Sequence, residues 1–316
     1  MPSSHLKGSD PFKIRIATRE SQLALWQANE VARLLKEHHT HVDVEIIGMT
    51  TEGDRFLQAS LASAGGKGLF VKELEQCLLN KTADIAVHSM KDVPFELPES
   101  LGIHAILERE DPRDAFVSTD YKNFLDLPNK AVVGTSSTRR ACQLYAARND
   151  LNIQPLRGNV NTRLSKLDDQ QYDAIILASA GLKRLGFSKR IASYLDVETS
   201  LPAIGQGAIG IECRNDDKQT KSVLAALHHT VTARCVTAER KISTALSANC
   251  HLPIAAHAIE ANNKLTLKAL VGAIDGSQLI YAENTGLPQE LETISAQVVE
   301  QLKQQGAEQL IASTQP

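Results

Sequence analysis

The chain opens on a two-residue alternation: Ile14 and Ile16 interleave with Lys13 and Arg15, the period of a half-buried strand. From Ser21 the period lengthens. Ala24, Ala28, Val31, Ala32 and Leu35 lie at i, i+4, i+7, i+8 and i+11, one face of a helix. Val42, Val44 and Ile46 restore period two, residues 71–79 are again helical, and 83–87 form a short apolar run. Strand, helix, strand, helix, strand predicts βαβ units on a parallel sheet.

The same grammar recurs further on. Val132-Val133 runs into Gly134-Thr135-Ser136-Ser137, and a helix carrying Ala141, Leu144 and Tyr145 follows. Residues 173–178 are too apolar to alternate, as expected of a strand covered on both faces. Two α/β domains are expected, joined between Leu107 and Arg113. After about residue 230 the pattern changes again. Leu265, Leu267, Ala269 and Val271 alternate, Asp275-Gly276 is a hairpin-turn signal, and Ile280 falls in the returning strand. Leu291, Ile294, Val298 and Leu302 then mark an amphipathic helix that Gly306 would stop. This part reads as a small α+β domain.

Composition narrows the function classes. The 316 residues are 42% hydrophobic and 22% charged, and no apolar run approaches the roughly 18 residues of a membrane span. Lys+Arg 34 against Asp+Glu 37 leaves a net charge of -3, so the chain as a whole is no basic nucleic-acid binder. Any strong anion site must be a local concentration of charge. The five cysteines are odd in number and form no CxxC pair, which argues against a disulfide framework or a zinc site. The first residues, Met1-Pro2-Ser3-Ser4-His5-Leu6, lack an apolar signal core, so a cytoplasmic location is expected.

Candidate chemistry gathers in the turns that follow strands, where open α/β sheets bind ligands. Thr18-Arg19-Glu20-Ser21 is a strand end leading into a helix, suited to an anion, although Thr18 or Ser21 equally reads as a helix cap. His88-Ser89-Met90-Lys91-Asp92 sets a base, a cation and a carboxylate at a second strand end. An Asp there could face a cation formed during reaction. Opposite charges about 4 Å apart are worth roughly 4 kcal/mol at an effective dielectric near 20, about a thousandfold in rate. An ordinary solvated Lys91-Asp92 pair fits the same spacing.

Thr135, Ser136 and Ser137 with Arg139 and Arg140 suit a carboxylate or phosphate. Two arginines in a first helical turn oppose the helix dipole unless an anion offsets them. Arg157 and Arg163 flank a further turn, and Lys183 and Arg184 follow the strand ending at Ala178. Residues 64–70 hold Lys67 and Phe70 in a glycine-rich stretch without P-loop spacing, readable as a lid or a plain connection. Cys250 sits in a turn beside His251 and reads as an accessible thiol, inert for lack of a visible partner; Cys77, Cys142, Cys213 and Cys235 read as core filler. A net-negative chain with one basic cleft calls for a small, multiply anionic ligand.

Several of these segments are similar to porphobilinogen deaminases, in order along the chain: Ile16-Ala17-Thr18-Arg19, Gly65-Gly66-Lys67-Gly68-Leu69-Phe70, His88-Ser89-Met90-Lys91-Asp92-Val93-Pro94 and Glu110-Asp111-Pro112-Arg113-Asp114. Gly134-Thr135-Ser136-Ser137 before Arg139-Arg140, Leu156-Arg157-Gly158-Asn159-Val160 and Leu201-Pro202-Ala203-Ile204-Gly205-Gln206-Gly207 extend the likeness. It implies three domains: 1–107 with 208–227 and 108–207, resembling the lobes of bilobal periplasmic binding proteins, and 228–316, a small α+β domain. It implies head-to-tail joining of four porphobilinogen molecules, each losing ammonia to give a methylene-pyrrolenine electrophile, then hydrolysis to hydroxymethylbilane.

The implied cofactor is a dipyrromethane held through a thioether to Cys250, without a metal or nucleotide. By the same likeness Asp92 is the catalytic carboxylate, with Lys91 and Arg19 beside it. Ser21, Lys91, Thr135, Ser136, Ser137, Arg139, Arg140, Arg157, Arg163 and Arg184 contact cofactor or substrate carboxylates, and Lys67 and Phe70 lie on a mobile loop. A monomer is implied, with no nucleic-acid or membrane partner. The family usually has two glycines before the cofactor cysteine, where this chain has Ala248-Asn249. Two other readings are a non-catalytic bilobal receptor for a small polycarboxylate and a divergent copy impaired in cofactor loading.

Overall fold

The computed structural model describes residues 12–51, 71–246 and 252–314. Lys67, Phe70 and Cys250 therefore lie outside the described residues, as does the whole glycine-rich stretch 64–70.

The first sheet has the order β2-β1-β3-β10-β4. Its strands are β1 (Phe12–Arg19), β2 (Val42–Met49), β3 (Ile85–Ser89), β4 (Leu101–Ile106) and β10 (Ile209–Arg214). Helix α1 (Gln22–His38) buries Ala24, Ala28, Val31, Ala32 and Leu35, the stripe its 3.6-residue period requires. Against it pack Ile14, Ile16, Ile85 and Ile211. Helix α2 (Lys72–Leu79) covers the other face, with Leu74 and Leu78 against Ala17 and Ala86. β1 pairs in parallel with β2 and β3, but β10 runs antiparallel between β3 and β4. The sheet is mixed, not parallel as the local pattern predicts, because a strand from far along the chain returns into it.

The second sheet has the order β7-β6-β8-β5-β9. It comprises β5 (Asp114–Val117), β6 (Val132–Gly134), β7 (Asn152–Gln154), β8 (Ala174–Ala178) and β9 (Ser193–Tyr194). Helices α3 (Thr138–Ala147), α4 (Val160–Asp168) and α5 (Ser179–Arg184) follow its parallel strands β6, β7 and β8. β5 is antiparallel to both β8 and β9. Two chain passages link the lobes, 107–113 outward and the stretch before β10 on return.

After β10 come α6 (Lys218–Leu224) and the long α7 (Thr230–Ala245). An antiparallel sheet follows, β11 (Ile254–Ala261), β12 (Lys264–Gly272) and β13 (Leu279–Gly286), then α8 (Leu291–Gln304) and α9 (Ala307–Thr314). Asp275-Gly276 lies in the β12–β13 connection, with Gly276 at φ +73. Leu265, Leu267, Ala269 and Val271 share one core with Ile294, Val298 and Leu302. Gly306 ends α8 at φ +91, and one further helix follows it.

Candidate active site

Strand ends from the first two lobes face one another, and two cavities lie between them. The smaller, about 520 Å³, is walled by Asp92, Thr135, Ser137 and Arg140 and is closed by Arg240 and Ser243 of α7. The larger, about 840 Å³, is walled by Arg19, Ser21, Arg157, Asn159, Arg163 and Lys166. Lys91, Asp92, Arg140 and Arg163 border both. Both volumes fall within the range of small-molecule sites.

Lys91 and Asp92 occupy a short 3-10 turn, Met90–Asp92, directly after β3. The Asp92 side chain is exposed to the cleft. Burial draws the Lys91 ammonium down to about 8, against the pull of the Asp92 charge. His88 faces elsewhere: its ring bonds the buried Glu212 carboxylate on β10 at 2.8 Å.

Ser21 caps α1, its hydroxyl accepting from the Ala24 N–H at 3.3 Å, and it also lines the larger cavity. The two readings of this residue are therefore compatible. Ser137 caps α3 by accepting from the Arg140 N–H, the Thr135 hydroxyl accepts from the Ser137 N–H, and Ser136 donates to the Leu156 carbonyl. Three hydroxyls are thus gathered at the start of α3, on the wall of the smaller cavity.

Arg139 and Arg140 are almost fully buried and grip the same carboxylate, Asp114, at 2.8 and 2.7 Å. Ser200 and Gln206 donate to Asp114 as well. Burial alone would push the Asp114 carboxyl up, but the two guanidiniums hold it well below its ordinary value. The anion that two arginines in a first helical turn require is thus supplied in part from inside the protein. Asp114 carries no mark of its own in the sequence; the paired arginines are the signal for a buried acid nearby.

Arg163 donates from Nε to the Gly158 carbonyl at 2.8 Å and forms no ion pair among the described residues. Burial, with the Arg140 charge nearby, brings its guanidinium down to about 10. Arg157 lies beside it on the larger cavity. Arg184 borders neither cavity; it donates to the Gly207 carbonyl at 2.7 Å and lies 5.6 Å from the Trp26 ring centroid. Lys183 pairs with Glu110 and Asp111 in the outward passage between lobes. Cys142, Cys213 and Cys235 are buried; burial pushes the first two thiols up to about 12 and the third to about 11. Arg240 carried no signal in the sequence, because it sits mid-helix in a region with no catalytic pattern.

A dipyrromethane bears four carboxylates and two pyrrole N–H groups. Lys91 and Arg163 are enclosed cations with no carboxylate within ion-pair reach among the described residues, and the α3 hydroxyls lie on the same walls. Buried charge of one sign without counter-charge is stable only where an anion completes it, so this donor set fits such a group.

Two family models match the chain. One describes the porphobilinogen deaminase dipyrromethane cofactor binding domain, over residues 14–222, and the other the porphobilinogen deaminase C-terminal domain, over residues 233–304. Among solved structures, a double-mutant form of the Bordetella pertussis BvgS VFT2 domain is 19% identical, with a TM-score of 0.42 over 72% of this chain and 91% of that one. A YaeC-family lipoprotein of Enterococcus faecalis is 15% identical, with a TM-score of 0.42 over 70% of this chain and 93% of that one. With both domains matched in order along nearly its whole length, the chain belongs to the porphobilinogen deaminase family.

Proposed function

We propose that the chain joins four porphobilinogen molecules head to tail, with loss of ammonia, on a dipyrromethane tethered to Cys250, and that Asp92 carries the charge stabilisation. The observation that supports this most is the place of Asp92: among the residues that border both cavities it is the one carboxylate, beside Lys91, Arg140 and Arg163. When bound, the dipyrromethane supplies the nucleophilic ring carbon. The protein's residues do the rest. Lys91, Arg140 and Arg163 hold carboxylates on both sides of Asp92, while Arg19 and Arg157 extend that grip along the larger cavity. Asp92 faces ring N–H groups and offsets positive charge as it develops on a ring nitrogen. Such charge is worth most in a cleft screened from water. Thr135, Ser136 and Ser137 orient carboxylates through hydroxyls and the free N–H groups of α3. We read the chain as a monomeric cytoplasmic transferase of tetrapyrrole synthesis with no nucleic-acid partner.

Intact mass spectrometry and ammonia release test this together. The purified protein is expected to carry a mass excess of two linked pyrrole units, lost in Cys250→Ser. Asp92→Asn is expected to retain fold and mass excess while turnover falls about a hundredfold or more. Near-normal turnover in Asp92→Asn would remove that residue from its role. Porphobilinogen binding without ammonia release would favour the receptor reading.

A further inference from the structure

Asp92 makes no hydrogen bond or ion pair of its own among the described residues, so its direction is set by the backbone that carries it. The start of that turn is pinned. The Met90 N–H donates to the Ala208 carbonyl at 3.0 Å, and Met90 is packed so closely that a Cβ at Gly210 would fall 2.1 Å from its sulfur. At the end of the turn the Val93 N–H closes back on the Met90 carbonyl at 3.3 Å and the Val93 side chain is buried beside Met90 and Ile106. Residues 93–98 form neither helix nor strand. The Val93 and Pro94 carbonyls in addition accept from Nη1 and Nη2 of Arg240 at 3.0 and 2.6 Å, from α7. Arg240 has no carboxylate partner among the described residues, and burial lowers its guanidinium below the ordinary value. A charge that its surroundings disfavour is thus retained with its forked donors committed to the two residues after Asp92. A lysine could reach only one of the two carbonyls in that geometry.

We infer that Arg240 is a positioning residue for the reaction: by clamping the Val93 and Pro94 carbonyls it fixes the direction in which Asp92 enters the cleft. The inference rests on Asp92 being the catalytic carboxylate. It also makes α7 the brace that sets Asp92 relative to the third domain. Small displacements of a group acting on developing charge cost turnover more than binding.

A double-mutant cycle on the cofactor-loaded protein tests it, with the parent, Arg240→Gln, Asp92→Asn and the double variant each checked for the two-ring mass excess and melting temperature. Arg240→Gln is expected to lower kcat about tenfold or more with KM within about twofold, and Arg240→Lys to fall between the two. In the Asp92→Asn background, Arg240→Gln should change turnover less than about twofold, because the group it positions is already disabled. Equal losses in both backgrounds would overturn the inference, as would a raised KM at unchanged kcat, which would make Arg240 a carboxylate ligand. If Arg240→Gln does not fold, Arg240→Lys carries the same cycle. Near-normal turnover in Asp92→Asn alone would overturn the reading of Asp92 and with it the positioning role, a result distinct from equal losses of Arg240→Gln in both backgrounds, which overturns the positioning role alone.

Discussion

Asp114 borders neither cavity, yet it sets the two arginines that reach the smaller one. Its carboxylate is fully buried and accepts from Arg139, Arg140, Ser200 and Gln206. Asp114→Asn leaves two buried guanidiniums short of an anion, a class of change that costs about 3–5 kcal/mol. Because the folded carboxyl lies below its ordinary value of 3.8, its stabilisation is full at neutral pH and fades as pH falls below that value. The parent should therefore melt well above Asp114→Asn at pH 7, and the gap should narrow as the pH of the scan is lowered into the acid range. A constant gap across the scan would mean that the charge of Asp114 contributes nothing. The hydroxyls and cations around Asp92 are legible in sequence because each lies in the turn after a strand or in the first turn of the helix that follows it. Asp114 begins its strand and Arg240 lies mid-helix, so neither position carries a local mark.

At the scale of elements, α1, α8, β12 and the β12–β13 turn follow from periodicity and turn chemistry alone, since each buries one face against a single core. The placement of β10 does not. Ile209, Ile211 and Cys213 alternate with Gly210, Glu212 and Arg214, a pattern that fits many strands, and only pairing with β3 and β4 decides its sheet and direction. The turn that leads into it is tightly constrained. Gly207 has φ +88, and a Cβ there would meet the Glu110 carbonyl oxygen at 2.3 Å, where the two passages between lobes run side by side. Neither backbone can yield without the other. Gly207→Ala combines left-handed strain with overpacking against main chain, about 2–4 kcal/mol together. The melting temperature is expected to drop by roughly 3–6 °C for a chain of this size. A drop of less than about a degree would show that the passages can separate freely, and the close approach would then have no structural weight.

For the molecule as a whole, the question is room. The two cavities suit a few rings, while four additions to a dipyrromethane make six, each carrying two carboxylates. Growth on that scale is expected to spread the lobes, and the edge where α1 of the first lobe meets α4 and α5 of the second, next to the passage at Gly207, would register it. Asn161 donates to Gln22 at 2.6 Å, and the Arg184 guanidinium rests over Trp26. Burial, partly offset by Glu110 and Glu30, lowers Arg184 to about 10, so it stays charged at neutral pH. Trp26 is the chain's one tryptophan, half-buried on α1, and its emission therefore reports this edge without labelling. Spreading the lobes lifts Arg184 from the ring and admits water. Complexes trapped after one, two and three additions should shift Trp26 emission progressively to the red, and Arg184→Leu should change the starting spectrum and flatten the series. Identical emission at every stage would mean that the edge stays closed and that the growing chain finds its space elsewhere, by threading outward past Asp92 toward α7.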